Sequence, residues 1–221
     1  MQYTWDFSFV YTNWHILLSG LLNTLKLAAV SLTLGMLIGL FVGLGQLSHR
    51  KVVKFISIAY VECFRNLPGI VLIFWFYYAI PIVTAHQVPV FVASFVALSL
   101  YTGGYCAEIY RAGIQSISKT QWEAARAIGM NNGQAFRLVI WPQALRRTIP
   151  PFCSRAIELV KSTTLASTLA YGDLLYNAKL IAEDQLRPLE AYTLATLIFT
   201  AILLPLSYLC IRLEHRIKTY S

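Results

Sequence analysis

A chain of 221 residues that is 57% hydrophobic and 13% charged, with a mean hydropathy of +0.58, is too apolar for an ordinary soluble domain and too poor in charge for a disordered tail. Its formal net charge of +8 comes from 18 Lys+Arg against 10 Asp+Glu. In so apolar a chain that excess points to cytoplasm-facing loops of a membrane protein rather than to nucleic acid.

Met1 to Asp6 offers neither a basic leader nor a small-residue cleavage site, so no removed signal peptide is expected. Trp5, Phe7, Phe9, Tyr11 and Trp14 cluster ahead of the first apolar run, as an aromatic belt at a membrane interface does. Crossing a bilayer takes about 20 apolar residues, and an ionised side chain at its centre is costly, so charge-free runs locate the spans. Leu27 to Ser48 lacks Lys, Arg, Asp and Glu, and its apolar pattern reaches back to Ile16, which gives a long or tilted first span over 16–47. Lys26 near its end is explained by snorkelling. Gly35, Gly39 and Gly43 form a small-xxx-small ladder suited to close helix packing.

Asn66 to Ala107 is free of Lys, Arg, Asp and Glu and too long for one helix; Pro81 and the polar Thr84 to Gln87 divide it into spans 60–82 and 88–107. Glu62 and Arg65 are expected to pair with each other at a cytoplasmic helix end. A fourth span, 149–170, is apolar overall yet carries Arg155, Glu158 and Lys161, and a fifth, 191–212, contains Pro205. Cys63, Cys106, Cys153 and Cys210 are dispersed along these stretches without C-x-x-C spacing and read as small hydrophobes.

Five spans satisfy the distribution of Lys and Arg. Arg50, Lys51 and Lys54 follow the first; Arg111, Lys119, Arg126, Arg137, Arg146 and Arg147 fill the loop 108–148; and Arg212, Arg216 and Lys218 follow the last. The segment between the second and third spans has no Lys or Arg, and Asp173 to Glu190 is acidic on balance. The expected fold is therefore all-α and polytopic: one transmembrane domain over 1–221 with five transmembrane helices, the N-terminus outside and the C-terminus in the cytoplasm.

The loop 108–148 carries the clearest signal. Thr120-Gln121-Trp122-Glu123 has capping-box spacing, predicting a short helix that runs through Glu123-Ala124-Ala125-Arg126-Ala127 and stops at Gly129. Glu123-Ala124-Ala125, then Gly129, then Val139-Ile140-Trp141-Pro142 resembles the EAA loop of permease subunits of bacterial ABC importers, with Val139 and Trp141 replacing the consensus Ile and Leu. Phe64-Arg65-Asn66-Leu67-Pro68, Glu108 to Ile117 and Lys161 to Ser167 resemble the polar-amino-acid branch of that family, the histidine/glutamine/glutamate-type permeases. The similarity extends over essentially the whole chain.

The resemblance implies a transmembrane subunit of the bacterial inner membrane. Its partners would be a second permease, identical or homologous, an ABC ATPase dimer, and an extracytoplasmic amino-acid-binding protein. The EAA helix, with Glu123, Ala124, Ala125 and Gly129, would dock on the ATPase as a coupling helix. ATP and magnesium would sit on that partner: this chain shows no phosphate loop, no H-E-x-x-H and no G-x-S-x-G, so neither catalytic residues, a metal site nor a cofactor of its own is expected. Its histidines, at 15, 49, 86 and 215, stand apart from one another.

Arg155, Glu158 and Lys161 fall on one side of a helix, with Ser162 close to Arg155. Two readings stand: an ion-pair ladder at a permease dimer interface, or, with Ser162 and Thr163, the lining of a substrate pathway. Arg155 would offer a planar fork to a substrate carboxylate and Glu158 an acceptor to its ammonium. An Arg here departs from relatives that carry basic substrates, which directs the expectation to an acidic or neutral amino acid such as glutamate, aspartate or glutamine. The competing function is a non-transporting membrane regulator or scaffold for an ABC ATPase.

Overall fold

The computed structural model describes residues 3–218, and among them every regular element is helical. In chain order these are α1 (Phe9–Gln46), α2 (Lys51–Asn66), α3 (Gly69–Thr84), α4 (Val90–Gln115), α5 (Lys119–Ala127), α6 (Asn132–Ala135), a π-helical turn (Phe136–Ile140), α7 (Trp141–Ser162), a 3-10 stretch (Thr163–Leu169), α8 (Leu174–Gln185) and α9 (Pro188–Lys218).

Helices α1, α4 and α9 are long and apolar enough to cross a membrane. The expected span 60–82 is instead two helices of 16 residues each, which meet that test only as a pair. The break is local: Leu67 and Pro68 are both extended, because a residue before proline is pushed out of the helical region and proline itself donates no N–H. The expected span 149–170 is likewise divided. Helix α7 begins at Trp141 and ends at Ser162, and the chain continues as a 3-10 stretch closed by Ala170 at φ +61°.

The Cα positions cluster into two compact units. One comprises Met1–Thr33, Pro68–Ser99 and Ile157–Leu206. Its apolar core joins Phe9 and Leu17 of α1 to Leu174, Ala178 and Ile181 of α8 and Ala191 and Ala195 of α9. Polar groups pin the same surfaces: Asn177 donates to the Ile16 carbonyl at 2.7 Å, the Leu174 N–H to Thr24 Oγ1 at 3.1 Å, and Asn23 to the Gly172 carbonyl at 2.8 Å. Asp173 caps α8 by accepting from the Tyr176 N–H at 2.8 Å. Ahead of α1, Tyr3 donates its hydroxyl to the fully buried Glu190, which also accepts from the Asp6 N–H at 3.2 Å and from Arg187 at 3.1 Å. Trp5, Tyr11 and Trp14 remain exposed, as an interfacial belt requires. Lys26 lies over the Phe91 ring at 5.2 Å.

The other unit comprises Leu34–Leu67, Leu100–Ala156 and Ser207–Ser221. Here α1 lies directly on α4. A Cβ added at Gly39 would collide with Cys106 Cβ and stand 2.8 Å from the Ala107 nitrogen, and one at Gly43 would stand 2.7 Å from the Ala107 carbonyl oxygen. Gly39 and Gly43, two of the three glycines of the ladder, are therefore needed for contact with α4. Cys106 is buried in that contact, whereas Cys63 is exposed. Below it, Ile114, Ile117, Ile140 and Ala144 form a second apolar cluster, with Trp122, Phe136 and Trp141 packed against it.

Candidate functional site

The short helix expected within the loop 108–148 is present, but its start differs from expectation. Helix α5 begins at Lys119 after an extended Ser118, whose carbonyl accepts from the Gln121 N–H at 3.1 Å, and no side-chain cap forms. Thr120 is thus the second helical residue, and the capping box expected from Thr120 and Glu123 is not made. Such a box exists further on, where Asn131 and Gln134 exchange side-chain and backbone bonds of 2.9 and 3.0 Å at the start of α6. The N-x-x-Q spacing announced it.

The end of α5 is as expected. Gly129 takes φ +84°, its N–H bonds the Arg126 carbonyl at 2.9 Å, and the Met130 N–H bonds the Ala125 carbonyl at 3.1 Å. This pair of bonds is a Schellman stop, which satisfies carbonyls that the helix end would otherwise orphan. Ala125 is buried and Trp122 stacks on Phe136 with centroids 6.4 Å apart, so that side of α5 is fixed to its own chain. Glu123, Ala124, Ala127 and Ile128 are exposed. Of the four expected docking residues, Ala125 faces inward and Glu123, Ala124 and Gly129 are accessible. A cavity of about 770 Å³ lies beside the helix, lined by Leu44, Leu47, Ile114, Trp122, Glu123 and Arg126 among others.

The ionisable residues of α7 have different environments. Arg155 is 3% exposed. Its guanidinium lies 4.8 Å from the Tyr101 ring centroid and 4.2 Å from that of Tyr105, and it donates to Thr102 Oγ1 at 3.1 Å. Glu158 and Lys161 are exposed and Ser162 is half-buried. Thr163 is fully buried, and its hydroxyl donates to the Val160 carbonyl at 2.8 Å, as that of Ser162 does to the Glu158 carbonyl at 2.9 Å. Sequence reasoning missed Tyr101, Thr102 and Tyr105; two tyrosines at i and i+4 flanking a threonine were the available signal.

Arg65 does not pair with Glu62. It lies 3.6 Å from Glu108, which also accepts from Arg111 at 2.6 and 3.2 Å, while Glu62 accepts from Asn66 at 2.9 Å. The acid one turn away on the same helix lost to one on α4 that already holds a second guanidinium.

The family model described as a binding-protein-dependent transport system inner membrane component matches residues 35–219. The chain is 33% identical over 211 residues to a probable glutamine ABC transporter permease protein, GlnM, of Bacillus subtilis (strain 168), covering 96% of this chain and 97% of that one. It is 32% identical over 222 residues to the glutamate/aspartate import permease protein GltK of Escherichia coli O6:H1, covering 97% and 99%. A crystal structure of an amino acid ABC transporter with histidines superposes with a TM-score of 0.91 at 33% identity, covering 97% of this chain and 100% of that one.

Proposed function

The chain belongs to the family of binding-protein-dependent transport system inner membrane components, and from that premise we propose that it is the membrane-spanning subunit of an ATP-driven importer of a polar amino acid. The observation that carries the reading is α5: a short helix fixed on one side by Trp122 and Ala125, with Glu123 and Ala124 turned outward and a glycine stop at Gly129. A helix of 9 residues is marginal alone in water, and its anchoring makes it a rigid element that a partner can push. That partner is an ABC ATPase dimer carrying ATP and magnesium. A second permease subunit completes the pathway, and an extracytoplasmic binding protein delivers the amino acid.

Closure of the ATPase subunits moves α5 and switches the pathway between inward and outward access. Such coupling requires that the docked helix make different contacts in the two states. Glu158, Lys161, Ser162 and Thr163 belong to the segment assigned to the pathway. Exposed Glu158 is suited to accept from a substrate ammonium, and Arg155 contributes a fixed positive charge rather than an exposed fork. Relatives named for glutamine and for glutamate/aspartate support an acidic or neutral substrate. Loops rich in Lys and Arg support an inner-membrane orientation with the N-terminus outside and the loop 108–148 in the cytoplasm.

The test is uptake of labelled glutamate, aspartate and glutamine into proteoliposomes holding the complete complex and its binding protein. ATP-dependent accumulation of one of them is expected. ATP hydrolysis without accumulation of any amino acid would instead favour a regulatory subunit.

A further inference from the structure

An ionised guanidinium at 3% exposure has lost nearly all its water, and its surroundings must replace that hydration. Helix α4 supplies three groups that do so. Tyr101 and Tyr105, one turn apart, hold their rings 5.1 Å between centroids at 65° to each other, forming two walls of a corner. The guanidinium carbon of Arg155 sits in that corner, 4.8 and 4.2 Å from the two centroids. Between the tyrosines, the fully buried Thr102 presents Oγ1 as an acceptor at 3.1 Å. Aromatic faces carry negative potential and attract cations, and a planar guanidinium stacks on them in a way that a rounded ammonium does not.

We propose that Tyr101, Thr102 and Tyr105 form a guanidinium-binding site that the chain fills with its own Arg155, closing it to substrates with a cationic side chain. The recognition half of this inference stands on the α4 geometry alone; the exclusion half rests on the reading of the chain as an amino-acid permease. Occupation denies the aromatic corner to an incoming cation.

The experiment is equilibrium binding of labelled arginine to the purified permease–ATPase complex without binding protein. Wild type should show no saturable arginine binding. Arg155→Met, which vacates the corner, should gain it, with arginine favoured over lysine by about tenfold and displaced by free guanidinium ion. Arg155→Lys and the double variant Arg155→Met/Tyr105→Leu should not gain it. Absence of arginine binding by an assembled Arg155→Met complex, or equal binding by wild type, would overturn the proposal.

If Arg155→Met does not assemble, labelling of Arg155 by phenylglyoxal in complexes with Arg155 intact decides the matter. Tyr105→Leu should raise labelling by about tenfold over wild type, and Tyr105→Phe, which keeps the aromatic face, should not. Equal labelling in all three would overturn the proposal. Amino-acid uptake by the wild-type complex tests the permease reading separately, so the two fail by different measurements.

Discussion

Gly39 and Gly129 are both glycines that the sequence pattern singles out, and the structure requires them for unrelated reasons. At Gly39 the backbone is ordinary helix and the neighbours leave no room: Cys106 and the Ala107 nitrogen occupy the place of a Cβ. At Gly129 nothing lies within 4 Å of an added Cβ, and the constraint is the backbone itself, at φ +84°. One glycine makes a helix–helix contact possible, and the other lets a helix end and the chain reverse. Substitution at the first should therefore scale with side-chain size, and at the second with tolerance for the left-handed conformation.

The largest effect is expected where space is absent. Gly39→Ala forces α1 away from α4, and Gly39→Leu does so further, with overpacking of about 1–3 kcal/mol or more. Both should lower the thermal midpoint of the detergent-purified complex, leucine more than alanine. Because Cys106 Cβ is the nearest atom, pairing Gly39→Ala with Cys106→Gly should recover part of the loss. An unchanged midpoint for Gly39→Ala would break the spatial half of the comparison.

A second close approach at the other end of α1 brings in charge. A Cβ at Gly20 would stand 2.8 Å from the Asp173 carbonyl oxygen, and Asp173 is fully buried. Burial pushes its carboxyl from the ordinary 3.8 up to about 6. The folded state then holds the proton more tightly than the unfolded chain. The resulting stability is complete below about 3.8 and is lost as pH rises through about 6. The loss is on the order of 2–3 kcal/mol. Asp173→Asn keeps a capping oxygen for the Tyr176 N–H and removes the charge. It should flatten the pH dependence of the thermal midpoint over this range and raise stability at neutral pH. Parallel pH profiles for the two proteins would show that packing alone governs this turn.

What was legible in the sequence follows the same division between local and remote causes. The helical fold class, the glycine ladder and the Gly129 stop depend on periodicity, residue size or a single backbone angle, and each was readable. The break at Leu67–Pro68 was also written locally, since proline constrains the residue before it, but the long charge-free run around it masked the signal. The start of α5 was misplaced because Ser118 and Thr120 are both starting residues by type, and the chain turns helical after the earlier one. Arg155 and Arg65 lay beyond local reasoning. Their partners, Tyr101, Thr102 and Tyr105 for one and Glu108 for the other, are on α4, and only the packed chain brings them together.

The smallest expected change in stability belongs to Gly129, and it is the sharpest test of the comparison. A non-glycine residue in the left-handed region costs roughly 1–2 kcal/mol, least for asparagine and most for a β-branched side chain. No neighbour adds a steric penalty, so the global thermal midpoint should move little in either Gly129→Asn or Gly129→Val. The local consequence differs. Valine should open the bonds from Gly129 to Arg126 and from Met130 to Ala125, fraying α5 and weakening amino-acid-stimulated ATP hydrolysis. Asparagine should retain most of that stimulation, although it is as large a perturbation of the empty space as valine. Equal loss in both variants would mean that the space around Gly129 is filled by the docked ATPase and that size, as at Gly39, is what matters there. Loss in valine alone would identify conformation as the cause.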